Sequence, residues 1–169
     1  MTVLEALTLV ERTSGDHVSV ICEPGTDLPQ VAIGAEGIER ILLNLVGNAR
    51  DAIGGRGTVA VRTCRVPIPP GDPALGTGWY ALLSVSDDGG GMTTELAARA
   101  LEPYYTTKAG ARGSGLGLPT AAGIARDAGG DLRISSAPGI GTTVSVYMPG
   151  VRRNGGPLAM PARSRLRFN

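Results

Sequence analysis

Apolar residues recur along this chain with two different periods, and the switches between them mark out its elements. From Glu36 to Ile53 the period is helical. Ile38, Ile41, Leu42, Leu45, Ala49, Ala52 and Ile53 fall at three- and four-residue steps, and Gly54-Gly55 stops the run. Leu116–Ala128 and the shorter Thr94–Leu101 also read as helices, and Val3, Leu7 and Val10 suggest a further short one over residues 2–12. His17–Cys22, Thr58–Cys64, Tyr80–Asp87, Leu132–Ser135 and Thr142–Met148 are compact runs rich in β-branched residues, the signature of strands. The last two close as a hairpin around Pro138-Gly139-Ile140-Gly141, and Pro67–Gly78 reads as a Pro/Gly-rich loop. Helices interleaved with hairpin-joined strands predict an α/β two-layer sandwich, a mixed and mostly antiparallel sheet packed on three helices.

Composition narrows the chemistry. The 169 residues are enough for one domain with a substantial core. A net charge of +1 gives no overall basic field for nucleic acid, which is not expected as a partner. Two cysteines and one histidine are too few for a disulfide scaffold, a thiolate zinc site or most histidine-based catalysis. No stretch approaches the roughly 20 apolar residues that span a bilayer, and a cytoplasmic protein is expected. The charge is unevenly spread: eleven basic and fifteen acidic residues lie before residue 150, whereas residues 150–169 carry five arginines and no acid. That last segment reads as a basic, flexible tail, leaving 15–149 as the folded domain and 1–14 as a short connecting helix.

Three constellations carry chemistry. Asn44, Asn48 and Asp51 follow the helical step on a flank of the apolar stripe, where carboxamides are poor helix formers. They are either a satisfied polar edge or a set of hard oxygen donors suited to Mg²⁺ and phosphate. In the strand Tyr80–Asp87, alternation places Asp87 on the inward face with Ala81, Leu83 and Val85. Asp88-Gly89-Gly90-Gly91 follows, so the carboxylate either ties its own loop or accepts from an exocyclic amine brought close by the glycines. Third, Gly113-Ser114-Gly115-Leu116-Gly117-Leu118 opens a helix, where free N–H groups suit phosphate. It is neither a dinucleotide fingerprint, for no strand leads directly into it, nor a Walker loop. The long segment between the glycine loops reads as a lid, and it holds Lys108, the only lysine beside fifteen arginines.

The ordered set Asn44-Leu-Val-Gly-Asn48-Ala-Arg-Asp-Ala, Asp87-Asp-Gly89-Gly-Gly91-Met92, Glu102-Pro-Tyr-Tyr-Thr-Thr-Lys108, Gly113-Ser-Gly115-Leu-Gly117-Leu and Gly139-Ile-Gly141-Thr142-Thr resembles the catalytic ATP-binding domain of bacterial sensor histidine kinases. These match that family's N, G1, F, G2 and final glycine boxes, from about residue 16 to Pro149. The wider superfamily includes gyrase, the heat-shock chaperone and mismatch-repair ATPases, and its Bergerat-type fold is an α/β sandwich with ATP under a mobile lid.

The resemblance implies roles for particular residues. Asn48 would hold Mg²⁺ and the phosphates, with Asn44 beside it, and Asp87 would accept from the adenine amine. Gly89 and Gly91 would shape the pocket, and Thr142 would add a polar contact near the adenine. Gly113, Gly115 and Gly117 would cradle the triphosphate. Residues 92–112 would form the lid, with Lys108 reaching the phosphates as a catalytic partner of Asn48. Asp51, Met92, Tyr105, Ser114, Leu116 and Leu118 complete the expected nucleotide site. Leu101 stands where the family often has Phe, and Tyr104-Tyr105 replace its Phe pair.

Two departures sharpen the functional expectation. The hydrolytic relatives resemble one another in carrying a Glu four residues before the magnesium Asn; here that position is Asn44, which cannot act as a base. The chain also lacks a histidine followed by an acid, because Val18 and Ser19 follow His17. The resemblance therefore implies the ATP-binding half of a two-component kinase. It would present the γ-phosphate of Mg-ATP to a histidine on a separate dimerisation domain, in the same parent protein or in trans, which then serves a response regulator. Alone the domain would be a monomer, with 1–14 the remnant of a connection and the parent either cytoplasmic or membrane-anchored. A non-transferring ATP-binding regulatory module and an ATPase switch are the alternatives.

Overall fold

The computed structural model describes residues 17–105, 115–152, 156 and 158–160. The element expected over residues 2–12, Lys108, Gly113 and Ser114, most of the far half of the lid and much of the tail lie outside them. Five strands form one sheet: β1 (Val18–Glu23), β2 (Gly57–Ile68), β3 (Gly78–Asp87), β4 (Asp131–Ala137) and β5 (Gly141–Pro149). Their order across the sheet is β1-β2-β3-β5-β4, with β1 and β2 parallel and every other pair antiparallel. Three helices complete the described fold: α1 (Ala35–Ala52), α2 (Thr94–Arg99) and α3 (Gly117–Asp127). This is the predicted two-layer α/β arrangement.

One face of the sheet builds the core. Alternation turns Val59 and Val61 of β2, Ala81, Leu83 and Val85 of β3, and Val144 and Val146 of β5 toward α1 and α3, where all are buried. From α1 come Ile41, Leu42, Leu45, Val46 and Ala49; from α3 come Ala121, Ala122 and Ala125. The three alanines let α3 lie close against α1, and that approach brings the beginning of α3 to the polar flank of α1. The expected apolar stripe of α1 holds except at its end. Ala52 is exposed, and its carbonyl accepts from the backbone of Gly90 at 3.1 Å.

The chain departs from expectation at two places. Strand β2 does not stop at Cys64 but runs on to Ile68, opposite Gly78, so that Pro67 pairs with Trp79. Proline is tolerated there because β1 ends opposite Arg62 and the far part of β2 has only β3 beside it. The remaining loop folds back over the opposite face of the sheet, where Leu75 packs with Ile68 and Tyr80. Second, the near end of the tail is tied down. Gly150 donates to the carbonyl of Trp79 at 2.8 Å, Leu158 donates to Gly150 at 2.7 Å, and Trp79 donates to Leu158 at 3.0 Å. Backbone pairing of this kind leaves no composition signal, which is why Gly155-Gly156 and the arginines suggested a free segment from residue 150.

Asp72 anchors the returning loop. Its carboxylate accepts the N–H groups of Ala74 and Leu75 at 3.0 Å each and pairs with Arg133 of β4 at 2.7 Å. The Arg133 guanidinium and then the Ala74 N–H hold the carboxyl down at about 2, against an ordinary 3.8. A carboxyl lowered in the folded state stabilises above its unfolded value, and that contribution is lost as pH falls through about 2. Asp72→Asn is therefore expected to unfold less steeply than the parent between these two values, which acid denaturation followed by circular dichroism measures. Superimposable acid limbs would show that the anchor does not count.

Candidate functional site

The strand ends and loops that the fold leaves over converge on one cavity of about 670 Å³, a volume typical of small-molecule sites. Its floor is the apolar inner face of the sheet at Val85 and Val144, and one wall is the flank of α1. The loop after β3, the residues of α2 and the start of α3 close the other sides.

At the sheet end stand Asp87 and Thr142, register partners on β3 and β5. Thr142 is buried, as its parity with Val144 and Val146 predicts. Asp87 Oδ1 accepts the Gly89 N–H at 2.9 Å, so the carboxylate does tie its own loop while still lining the cavity. Burial pushes the Asp87 carboxyl up. The N–H groups of Gly89 and Thr142 oppose that shift, and the nearby charge of Asp88 adds to it. Of the two readings of Asp87 that the sequence left open, the carboxylate that ties its own loop is the one the hydrogen bond to Gly89 meets.

Glycine permits the close backbone contacts around it. Gly91 has φ +64° and presses against the carbonyl of Ala137, so that the loop after β3 and the β4–β5 turn lie backbone to backbone. Gly139 seals them, donating to Gly90 at 2.8 Å. Gly89 itself does not line the cavity; it packs against the Ala52 carbonyl behind it.

At the other end, Asn44 and Asn48 lie half-buried one turn apart on α1, with Asp51 beyond them at the cavity edge. The Asn44 amide donates one of its two N–H groups to the carbonyl of Arg40 at 2.9 Å, and its oxygen lies beside Gly117. The beginning of α3 arrives here. A Cβ at Gly117 would come within 3.1 Å of Asn48 Nδ2 and 3.3 Å of Asn44 Oδ1, so any side chain there would push both carboxamides back by a few tenths of an ångström. Gly115, Leu116 and Leu118 line the cavity beside it, and the positive end of the helix dipole faces the same space.

Met92 and Tyr105, on either side of α2 in the chain, line the cavity. Tyr104, at φ +65°, donates its backbone N–H to the carbonyl of Gly115 at 3.1 Å. Arg99 of α2 stacks on the Tyr105 ring at 4.1 Å and pairs with Glu102. The structure therefore gathers Asn44, Asn48, Asp51, Asp87, Gly91, Met92, Tyr105, Gly115, Leu116, Gly117, Leu118 and Thr142 around one space. Sequence reasoning missed Arg40, Leu96, Ala100 and Thr120 of the lining. Arg40 carried a signal, for it stands one turn before Asn44 on the same flank; the others are ordinary residues that only packing brings here. Also missed is Ser136, whose hydroxyl receives the Met92 N–H at 2.8 Å and lies 2.8 Å from Thr142 Oγ1.

A sheet face roofed by two helices, with a buried acceptor at one end of the cavity and paired carboxamides under a glycine-opened helix at the other, defines a nucleotide-binding α/β sandwich. Residues 34–152 match the family described as histidine kinase-, DNA gyrase B-, and HSP90-like ATPase, and the chain belongs to that family. It is 33% identical over 147 residues to the sensor kinase CckA of Brucella abortus, covering 83% of this chain and 15% of that protein. It is 32% identical to the signal transduction histidine-protein kinase AtoS of Escherichia coli, covering 86% of this chain and 22% of that one. To the sensor histidine kinase ZraS of Klebsiella oxytoca it is 34% identical, over 87% of this chain and 29% of the relative. The chain thus spans less than a third of the length of these relatives. Among solved structures, the mycobacterial sensor histidine kinase MprB superimposes with a TM-score of 0.67 at 25% identity, over 92% of this chain and 93% of that one. Full-length ShkA in complex with AMPPNP shares the fold at 22% identity, with a TM-score of 0.66 over 96% of this chain and 32% of that one. No helix among the described residues is long and apolar enough to cross a membrane.

Proposed function

We propose that this chain is the ATP-binding catalytic part of a sensor histidine kinase, presenting the γ-phosphate of Mg-ATP to a histidine carried elsewhere. The observation that supports this best is the division of the cavity into two chemically distinct ends. Asp87 and Thr142 offer acceptors above an apolar floor, which suits the amine edge and flat face of adenine. Asn44, Asn48, Gly115 and the start of α3 offer amide groups and a positive dipole, which suits a triphosphate.

The carboxamide oxygens of Asn44 and Asn48 are the hard donors that fit Mg²⁺, with Asp51 at the edge; the ion would neutralise phosphate charge there. The chain's own contribution is positioning. The carboxamides fix the phosphates, Gly117 lets the helix start approach them, and the lid, with Lys108 on it, shields the γ-phosphate from water. Asn44 argues for transfer over hydrolysis. It stands where a general base would stand, yet one of its N–H groups is tied to Arg40 and its oxygen cannot take a proton at neutral pH.

The acceptor is a histidine on a helical dimerisation domain, in the parent protein or in trans, and the phosphoryl group passes on to a response regulator. The cytoplasm, where ATP is abundant, is the compartment that fits. The chain given labelled ATP, Mg²⁺ and an intact kinase hairpin is expected to label the hairpin, and Asn48→Ala to reduce that labelling by at least about a hundredfold. A chain that binds ATP yet never labels a hairpin that an intact kinase domain does label would instead be a nucleotide-binding regulatory module.

A further inference from the structure

Three polar side chains stand in one row across three strands at the cavity end of the sheet. Asp87 of β3 is the register partner of Thr142 on β5, and Thr142 is the register partner of Ser136 on β4. Asp87 and Thr142 line the cavity; Ser136 stands behind Thr142 and does not. Resting on the reading of this end as a base subsite, we propose that Ser136 sets its hydrogen-bond polarity. It holds the Thr142 hydroxyl proton away from the cavity, so that the subsite selects a 6-amino purine over a 6-oxo purine.

The argument follows from donors and acceptors. Ser136 Oγ has one proton and two lone pairs. Its three neighbours are the Met92 N–H at 2.8 Å, the Gly141 carbonyl at 3.0 Å and Thr142 Oγ1 at 2.8 Å. The Met92 amide can only donate and the Gly141 carbonyl can only accept, so together they take one lone pair and the proton. The remaining lone pair of Ser136 accepts the Thr142 proton. Thr142 is left facing the cavity with lone pairs alone.

Its neighbour in the row has the same polarity. The Asp87 carboxylate is an acceptor on both oxygens, one of them already receiving the Gly89 N–H. Two acceptors side by side complement an exocyclic amine. A carbonyl oxygen at the same ring position would meet them lone pair to lone pair, in a half-buried place where water relieves little of the conflict. Ser136 thus acts on the base through Thr142 and is a positioning residue for it. Its bond to Met92 additionally ties the start of the lid to the same hydroxyl.

The probes are ATP and inosine triphosphate, which differ in the amine or carbonyl at that ring position and in the proton on the adjacent nitrogen. Their dissociation constants are measured by calorimetric titration of the full chain. The parent is expected to favour ATP. Ser136→Ala frees the Thr142 proton to turn into the cavity, and the preference should narrow about tenfold. Ser136→Thr keeps a hydroxyl at that position and should restore it. In a Thr142→Val background, Ser136→Ala should change the ratio no further, because the relay has lost its second member. If Ser136→Ala instead weakens both nucleotides equally, Ser136 only staples the loop and the polarity role is overturned. A folded parent that binds neither nucleotide would overturn the base-subsite reading itself, a result distinct from an unchanged ratio.

Discussion

Asp87→Asn is expected to abolish most of the stabilisation that Mg-ATP confers, while the nucleotide-free protein unfolds no lower than the parent. The two effects have separate physical causes. ATP at about 100 Kd should stabilise the parent by about 2.7 kcal/mol, which for a chain of this size raises the melting temperature by roughly 5–10 °C. Exchanging a charged acceptor for an amide that also presents a donor weakens a base contact by about a hundredfold when the site is built for it. At the same ATP concentration, a hundredfold weaker Kd leaves about 0.4 kcal/mol, roughly 1–2 °C.

The nucleotide-free state responds in the opposite sense. Burial raises the Asp87 carboxyl above its ordinary value in the folded protein. A carboxyl raised by folding stabilises below its unfolded value, and that contribution is lost as pH rises through the folded one, so at neutral pH the charge is a cost. The amide removes the charge and can still accept the Gly89 N–H with its oxygen. Melting curves with and without nucleotide, on parent and variant, separate the two. An ATP shift that survives intact in Asp87→Asn would place the base elsewhere.

Gly141→Ala is expected to be strongly destabilising, costing about 3–5 kcal/mol and lowering the melting temperature by about 6–20 °C. Gly141 has φ +120°, a conformation that side chains resist, and a Cβ there would run into the carbonyl of Asp87. Because Asp87 and Thr142 are paired across these strands, relief of the clash has to move that pair as well as the hairpin. Nucleotide affinity should therefore fall along with stability. Gly139→Ala supplies the control. It shares a positive φ of +74° in the same turn but meets nothing within 4 Å, so only the backbone cost of about 1–2 kcal/mol remains. Equal melting temperatures for the two variants would show that the approach of Gly141 to β3 is not what glycine is needed for.

Most elements were legible because their signals are local. The α1 stripe, the alternation in β3 and β5, and the glycine turn between β4 and β5 each depend on a few consecutive residues, and all stand where they were expected but for Ala52 at the end of α1. The failures share a cause. Strand β2 outran its expected end because Pro67 is forbidden or allowed by whether a neighbour strand is present, a fact absent from the local sequence. The tail near Leu158 was read as free because its attachment to Trp79 uses only backbone groups. Ser136 was passed over because the expected strand stopped at Ser135. One more residue of pairing turns a serine among serines into the register partner of Thr142.

For the site, the chain itself determined which side chains face inward and which residues share a helix flank, since both are set by the geometry of two and 3.6 residues per repeat. Asp87, Asn44 and Asn48 stood out on that ground before any contact was known, whereas Thr142 entered through the family resemblance. What only the tertiary structure decided is which of these meet. The register that lines up Asp87, Thr142 and Ser136, and the helix packing that seats Gly117 on the two carboxamides, are pairings between residues tens of positions apart. Such pairings depend on how the whole sheet and both long helices bury their apolar faces together, and no local run of residues contains that information.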